Sequence, residues 1–524
     1  MSALQKARAA GHADPSYYFQ TARNLAQGRG FTNDFIWQFL VQPASVHHYA
    51  GDYWQPLPSF LLALPMMMTG DHSLIMASSA SVVASVLAAL AAGALAFNLT
   101  GRHAVAGMTV MLVALLPRLS YFSVQTESVP FYLLFVMSAL ALATARRSGG
   151  WRWSAAVGAC AAAAWLCRND GLLVVLVLGT AQAGLLFRAW RAGRPAMLPA
   201  LRRFGGYSGG VLVVLTPWVV ANERAMHRPL PPTTQLPFLT RYEQLFQIGR
   251  HAGLHDLLQG GVWNAVTFRW HTAKQLYRVI PNSLGRHLTW FLLALAVLNG
   301  AVLLRRLLRR RSPGTPAGGA QAGELEVPPV APLHRVGWPT VLACAASVFL
   351  FDAVISPVAS LAGAWGRSSA AYLPILLIAA LLGASRLPWG RTIGWTALLA
   401  SIALPQLGAV SAATTAIDQN NAFGQDIRVY ADFITQAEAG GHGAVMTREP
   451  WETTEITGYP SVQIPDNDLC TAVSTARRYG ATVFVTHVTR PAESRRILLK
   501  HGFVLIGSVG PSNVMRFPAH VTGC

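Results

Sequence analysis

Apolar runs close to the roughly 17–25 residues that a helix needs to cross a bilayer recur along this chain. They fall at 73–97, 104–119, 128–145, 153–168, 171–188, 205–221, 287–304, 338–357, 371–385 and 393–411, about ten candidate spans. No other feature constrains the fold as tightly, because a segment in lipid must satisfy its own backbone hydrogen bonds, and a helix does so. Composition agrees: 52% of the 524 residues are hydrophobic and 12% are charged, against about 25% charged in a soluble domain. The chain reads as a polytopic α-helical membrane protein. The shorter stretch from Pro56 to Met68, interrupted by Pro65, reads as a helix lying on the membrane surface.

The formal charge of +19 would suit a nucleic-acid binder. Its distribution excludes that class, since the basic residues cluster in short loops between apolar runs. Arg146, Arg147 and Arg152, then Arg188 to Arg203, then Arg305 to Arg311, then Arg386 and Arg391 all follow an inward-going span if residue 70 is outside. The four clusters agree in register, and basic loops stay on the cytoplasmic side. Residues 1–70, the 119–128 and 168–171 turns, the 222–286 and 358–370 loops and the C-terminal region are thereby expected outside the cell or inner membrane. An external N-terminus with no signal peptide implies a missing upstream first helix, hence eleven spans and a cytoplasmic start.

Three regions follow. Residues 1–70 form an extracytoplasmic first loop with surface helices. Residues 71–411 form the bundle, with outer loop 222–286 and cytoplasmic loop 305–335, whose Pro/Gly-rich part from Ser312 reads as disordered. Residues 418–524 read as a small soluble α/β domain. A helical pattern at 424–439 precedes apolar runs Ala444–Met446, Thr482–Val485 and Phe503–Ile506, which alternate with helical stretches 467–479 and 492–501. Cys160, Cys167 and Cys344 lie in apolar spans as small core residues. Cys470 and Cys524 lie in the C-terminal region, where a disulfide is one option, and no CxxC pair exists.

Charged residues at the outer ends of the spans are the candidates for chemistry. Asp14 precedes Pro15 and can act as a helix N-cap or as a general base. The following Tyr17 and Tyr18 can line a pocket or sit at the interface, as can Tyr53 and Trp54 at the start of the surface helix. Glu127, before Ser128 and Pro130, is either a capping carboxylate or a site acid. Arg168, in Arg168-Asn169-Asp170-Gly171, either pairs within its turn or meets a phosphate with its planar fork. Arg367 is the cation of its outer loop and either reaches a headgroup or is a second candidate, after Arg168, to bind a phosphate. Asp352 is the ionisable residue placed within a span. Adjacent His47 and His48 point apart in regular backbone, a poor start for a metal site. No P-loop, GxSxG, HExxH or Rossmann pattern occurs, so nucleotide, serine-hydrolase and zincin chemistry have no support.

An acid followed by aromatics and Ala22-Arg23-Asn24-Leu25-Ala26-Gln27-Gly28-Arg29-Gly30-Phe31, then Pro56-Leu57-Pro58, resembles the first outer loop of GT-C membrane glycosyltransferases. The nearest group is the protein O-mannosyltransferase and aminoarabinose-transferase-like one. The resemblance continues through Thr126-Glu127-Ser128-Val129-Pro130, Arg168-Asn169-Asp170-Gly171 and Arg367 to Tyr372-Leu373-Pro374, and covers residues 12–385. Val445-Met446-Thr447-Arg448-Glu449-Pro450 through Thr457-Gly458-Tyr459-Pro460 and Ile464-Pro465 looks like the soluble tail of bacterial members.

That resemblance implies a GT-C-like bundle in the inner or plasma membrane, with its active site and C-terminal domain extracytoplasmic. A hexose or pentose would pass from a polyprenyl-phosphate carrier to a protein, lipid or glycan acceptor, with inversion. Asp14 would be the base, Glu127 the second-loop acid, and Arg168 and Arg367 the phosphate ligands. Tyr17, Tyr18, Tyr53, Trp54, Asp170 and Tyr372 are pocket candidates. Many members pair two acids in the first loop, whereas Pro15 follows Asp14 here. A divalent metal therefore stays open but unsupported, and no cofactor is implied. The competing reading is a transporter or flippase for a lipid-linked sugar, which would keep ionisable or helix-breaking groups near mid-membrane.

Overall fold

A computed structural model describes residues 4–145, 150–250, 253–258, 260–284, 336–356, 365–384, 395–438, 443–487 and 491–518. The expected span 287–304, the loop 305–335 and Cys524 lie outside the described residues. Helix α1 (Ala13–Ala26) and the surface helix α2 (Leu57–Thr69) precede the bundle and pack on each other. The bundle follows as α3 (Leu74–Thr100), α4 (His103–Leu115), α5 (Pro117–Ser123), α6 (Val129–Thr144), α7 (Trp151–Cys167), α8 (Gly171–Ala192) and α9 (Arg194–Met226). After α10 (Val262–Leu284) come α11 (Trp338–Leu350), α12 (Trp365–Ala384) and α13 (Trp395–Glu438).

Among the described residues, α3, α8 and Pro195–Met226 of α9 are long and apolar enough to cross a membrane. The pair α4 and α5 passes the same test but bends by 59°. Leu116, which precedes Pro117, is extended at the bend, because the proline ring disfavours helical backbone in the residue before it. Helices α6, α11 and most of α12 are shorter apolar helices. The chain is a helical membrane protein.

Local signals explain the ends of α3. The Ser73 side chain accepts from the Met76 N–H, and Gly101 closes the helix at φ +69, a left-handed position that glycine fills without steric cost. Small residues set the packing of α7 on α9. A Cβ on Gly158 would stand 2.1 Å from the Tyr207 carbonyl oxygen, and one on Gly210 would stand 2.0 Å from that of Ala155. The two backbones touch only because those side chains are missing.

Beyond α11, Phe351–Ile355 makes a π-type turn in which the Ser356 N–H bonds to the Phe351 carbonyl at 2.8 Å. The turn carries Asp352. Such turns inside helices often mark functional sites.

The last apolar helix does not end where the composition becomes polar near residue 418. Helix α13 runs unbroken through 44 residues, about 66 Å at the helical rise. The expected helix at 424–439 is its far end. Its buried Ile427, Tyr430 and Ile434 pack on one face of a sheet, against Val445, Val483, Val485 and Val514. The alternate residues Met446, Phe484 and Met515 face the other side, with Ala472, Ala476 and Phe503. This is the period-two pattern of strands covered on both faces.

The sheet contains β2 (Phe35–Ile36), β4 (Ala444–Thr447), β5 (Ser461–Gln463), β6 (Ala481–His487), β7 (Val504–Val509) and β8 (Ser512–Arg516). Two further strands, β1 (Thr32–Asn33) and β3 (His48–Tyr49), pair antiparallel within the first loop. The sheet order is β2-β5-β4-β6-β8-β7, parallel from β2 to β6 and antiparallel thereafter. Helices α14 (Pro450–Thr457), α15 (Leu469–Tyr479) and α16 (Pro491–Lys500) connect the strands. Strand β2 belongs to the first loop, with Phe35 opposite Ser461 and Ile36 opposite Val462. The first loop and the C-terminal segment therefore share one sheet, although more than 400 residues separate them.

Replacing Gly210 by Val should force α7 and α9 apart. A lowering of stability by about 1–3 kcal/mol is expected for overpacking of this kind. Thermal unfolding of detergent-solubilised protein checks it, and an unchanged midpoint would contradict the close contact.

Candidate active site

Four sequence-selected residues meet at one end of the bundle, each brought there by a helix terminus. Asp14 stands at the second position of α1, whose N-cap is His12. It does not cap its own helix: the helix starts earlier than Pro15 suggests, and the carboxylate turns to Arg367. Glu127 precedes α6, Arg168 ends α7 in extended backbone, and Arg367 lies in the first turn of α12.

Arg367 binds two acids. Its Nε donates to Glu127 Oε1 at 2.9 Å and lies 3.3 Å from Asp14 Oδ2. Its Nη2 lies 2.9 Å from His12 Nε2. A guanidinium only donates, so that imidazole nitrogen accepts and the His12 ring is neutral with its proton on Nδ1. Burial, then the charge of Arg367, depresses the His12 pKa, in keeping with that tautomer.

The two acids differ. The Glu127 side chain is 0% exposed and that of Asp14 is 19% exposed. For Asp14, burial is the strongest influence and leaves its pKa raised despite Arg367. For Glu127, burial pushes upward too, but the charge of Arg367 and the hydrogen bond it donates outweigh it and hold the pKa down. Glu127 is thus the fixed anion of the cluster, and Asp14 is the one more ready to take a proton.

Arg168 makes the second half of the site. Its Nε donates to Asp170 Oδ1 at 3.0 Å, its Nη2 donates to Ser368 Oγ at 3.1 Å, and its guanidinium lies 5.6 Å from the Tyr132 ring centroid. Ser368 neighbours Arg367 and also reaches Asp352 Oδ1 at 3.5 Å. Ser368 therefore links the two arginines to the π-type turn.

Both halves open into one cavity of about 330 Å³. Asp14, Arg168, Asp170, Arg367 and Asp352 line its polar part; Trp165, Leu172, Leu173, Trp218 and Leu236 line its apolar part. An aromatic wall completes it. Trp37 stacks on Trp54 at 4.5 Å and 22°, and Tyr53 meets Trp37 edge-on at 4.5 Å.

Of the sequence-selected pocket residues, Tyr18, Tyr53, Trp54 and Asp170 line the cavity. Three selected residues lie off its lining. Glu127 stands behind Arg367. Tyr17 is packed behind Trp54, with its hydroxyl on the Ala50 carbonyl and on Asp52. Tyr372 is buried on α12, edge-on to Phe349. His47 pairs with Asp34 and His48 with Asp52, and among the described residues no group of three or more His, Cys, Asp or Glu is placed to hold a metal.

The sequence reading missed His12, Trp37, Ser368 and Tyr242, the last of which also lines the cavity. His12 and Ser368 sit within two residues of selected positions, so proximity to a charged motif was an available signal. Trp37 and Tyr242 carried none, because loops without periodicity bring them in.

Neither a protein-family model nor a curated protein sequence matches the chain. Solved structures do. ArnT from Cupriavidus metallidurans in the apo state aligns with a TM-score of 0.58 at 12% identity, over 98% of this chain and 95% of that one. The same protein bound to undecaprenyl phosphate aligns at 0.55 and 12%, over 99% and 96%. The likeness at this identity is one of fold: the chain shares its architecture with that protein over nearly the whole length of both.

Arg367→Gln should leave Glu127 buried without its cation, at a cost of about 3–5 kcal/mol in stability. Adding Glu127→Gln should restore most of that loss. Unfolding midpoints of the two single variants and the double variant test it, and strictly additive losses would contradict the pairing.

Proposed function

We propose that the protein is an integral membrane glycosyltransferase that moves a hexose or pentose from a polyprenyl-phosphate donor to a hydroxyl or amine on the outer face of the inner or plasma membrane. One observation carries this reading. Asp14, Arg168 and Arg367 line a single cavity whose other part is apolar, in a fold shared with a protein solved with undecaprenyl phosphate bound. A carboxylate, two guanidinium groups and an apolar wall are the parts that a proton-bearing acceptor, an anionic leaving group and a lipid tail require.

The reaction follows from those roles. The acceptor oxygen or nitrogen attacks the anomeric carbon from the face opposite the phosphate, so the configuration inverts. The bond from that carbon to the phosphate oxygen breaks, and its electron pair leaves with the polyprenyl phosphate. The acceptor's proton passes to Asp14. Arg168 and Arg367 stabilise the negative charge that grows on the leaving phosphate. Five N–H groups radiate from a guanidinium, so the Nε and Nη2 contacts of Arg367 do not exhaust it. Glu127 orients Arg367 from behind the cavity.

Donor binding also primes the base. The donor phosphate competes with Asp14 for Arg367, and an aspartate loosened from its cation is more basic. Glu127, out of the cavity, keeps Arg367 in place meanwhile. The aromatic wall of Trp37, Tyr53 and Trp54 offers apolar faces to a sugar ring.

Asp14→Asn should lower transfer of radiolabelled sugar from polyprenyl-phosphate donors by about 10²–10⁴-fold; transfer at the wild-type rate would contradict the base. Because the Asp14 pKa is raised, its ionised form is lost as pH falls through a value above the usual aspartate range. The rate should therefore drop on the acid side there and level off above it. That acid limb should lie at higher pH in kcat than in kcat/KM for the donor, since kcat reports the donor-bound enzyme. Coincident limbs would contradict the priming.

A further inference from the structure

The catalytic segment is held on both flanks from the opposite end of the sequence. Helix α14, between β4 and β5 of the sheet, presents the half-buried Glu455 to the start of α1. Glu455 Oε1 accepts from the Ala10 N–H at 2.7 Å, and Oε2 lies 2.8 Å from Ser16 Oγ. Ala10 and Ser16 bracket His12 and Asp14. Ser16 Oγ is also 2.8 Å from the Gly11 carbonyl oxygen, the other acceptor within reach of its single proton, so the bracketed segment closes into a turn. Gly11 permits that turn at φ +98. One turn back along α14, the Trp451 carbonyl accepts from Gln20 Nε2 at 2.7 Å, so α14 grips α1 at a second point.

Further anchors of the N-terminal segment lie upstream of the bracket and within it. The Arg8 N–H donates to Asn421 Oδ1 at 2.7 Å, and Arg428 Nη2 donates to the Arg8 carbonyl at 2.8 Å. They fix residues 6–8 against α13. Inside the bracket, next to Asp14, Thr126 Oγ1 donates to the Pro15 carbonyl at 2.8 Å. Glu455 is the side chain of α14 that ties both ends of the segment carrying His12 and Asp14.

We infer that Glu455 is a positioning residue for transfer: by tying Ala10 and Ser16 to the C-terminal sheet, it sets the reach of Asp14 towards Arg367 and the cavity. Glu455 does not line that cavity, so it acts through the backbone of α1. The inference rests on the reading of Asp14 as the base. A base displaced by an ångström costs about 10²-fold in rate, while Arg367 stays held by Glu127 and Arg168 by Asp170 and Ser368, so donor binding is not weakened. The C-terminal layer is thereby part of the catalytic apparatus.

The test compares wild type, Glu455→Ala, Glu455→Gln, Ser16→Ala and Asp14→Asn in the full chain, by transfer kinetics and by hydrogen exchange of the peptide spanning residues 9–20. Glu455→Ala should lower kcat by about 10²-fold, with the donor KM not raised and faster exchange confined to that peptide. Ser16→Ala removes one of the two bonds and should cost about fivefold, with no further loss when added to Glu455→Ala. Glu455→Gln keeps one acceptor and should fall between.

Three results would overturn the proposal: unchanged exchange, wild-type kcat in Glu455→Ala, or a loss that raises the donor KM and lowers the unfolding midpoint together. Asp14→Asn separates the two readings. If it abolishes transfer while the Glu455 variants stay at wild-type rate, the base stands and the positioning role fails. If Asp14→Asn itself transfers normally, the base reading fails and the positioning role fails with it.

Discussion

A single guanidinium holds the site together. Arg367 brings Glu127 to one point with His12 and Asp14 at the start of α1. A charge removed from water is costly unless it is paired, so each member of this cluster fixes the others. The pairing is unequal. Glu127 is sealed and strongly paired, whereas Asp14 keeps one side on the cavity. The inequality makes two carboxylates on one arginine chemically useful, since one maintains geometry and the other remains free to change its proton.

The fold serves that point from two directions. From the bundle, α6, α7 and α12 deliver Glu127, Arg168 and Arg367 at helix termini, where a side chain can face a cavity without breaking a helical hydrogen bond. From the other side, the sheet that α13 supports takes in β2 of the first loop and, through α14, grips α1. The long α13 ties the two parts rigidly, because a continuous helix transmits position where a linker would not. The cavity therefore has walls contributed by the first loop and by the bundle, and the first loop is in turn held by the C-terminal segment.

The legible part of this structure was the part governed by period and sign. Hydrophobic runs marked most of the bundle helices, and the positions of Asp14, Glu127, Arg168 and Arg367 outside or at the ends of those runs singled out the residues that cluster. The strands at 444–447, 481–487 and 504–509 were visible as apolar runs between helical patterns. What escaped was set by tertiary contact. Strands β2 and β5 are two and three residues long, too short for any alternation to show. The continuity of α13 was hidden because its first part is apolar and its last part amphipathic, so a change of environment looked like a change of element. The N-cap reading of Asp14 failed because Arg367, distant in sequence, competes for the carboxylate more strongly than a local N–H does. Tyr17 and Tyr372 carried the right chemistry but point into packing instead of the cavity.

The most direct test of the account is a structure of the protein with polyprenyl phosphate bound. The account places the phosphate in the cavity within hydrogen-bond reach of Arg168 and Arg367, with Glu127 still on Arg367 Nε and Asp14 released from it. A phosphate bound elsewhere, with Arg168 still on Asp170 and Ser368 and Arg367 still on both acids, would contradict it.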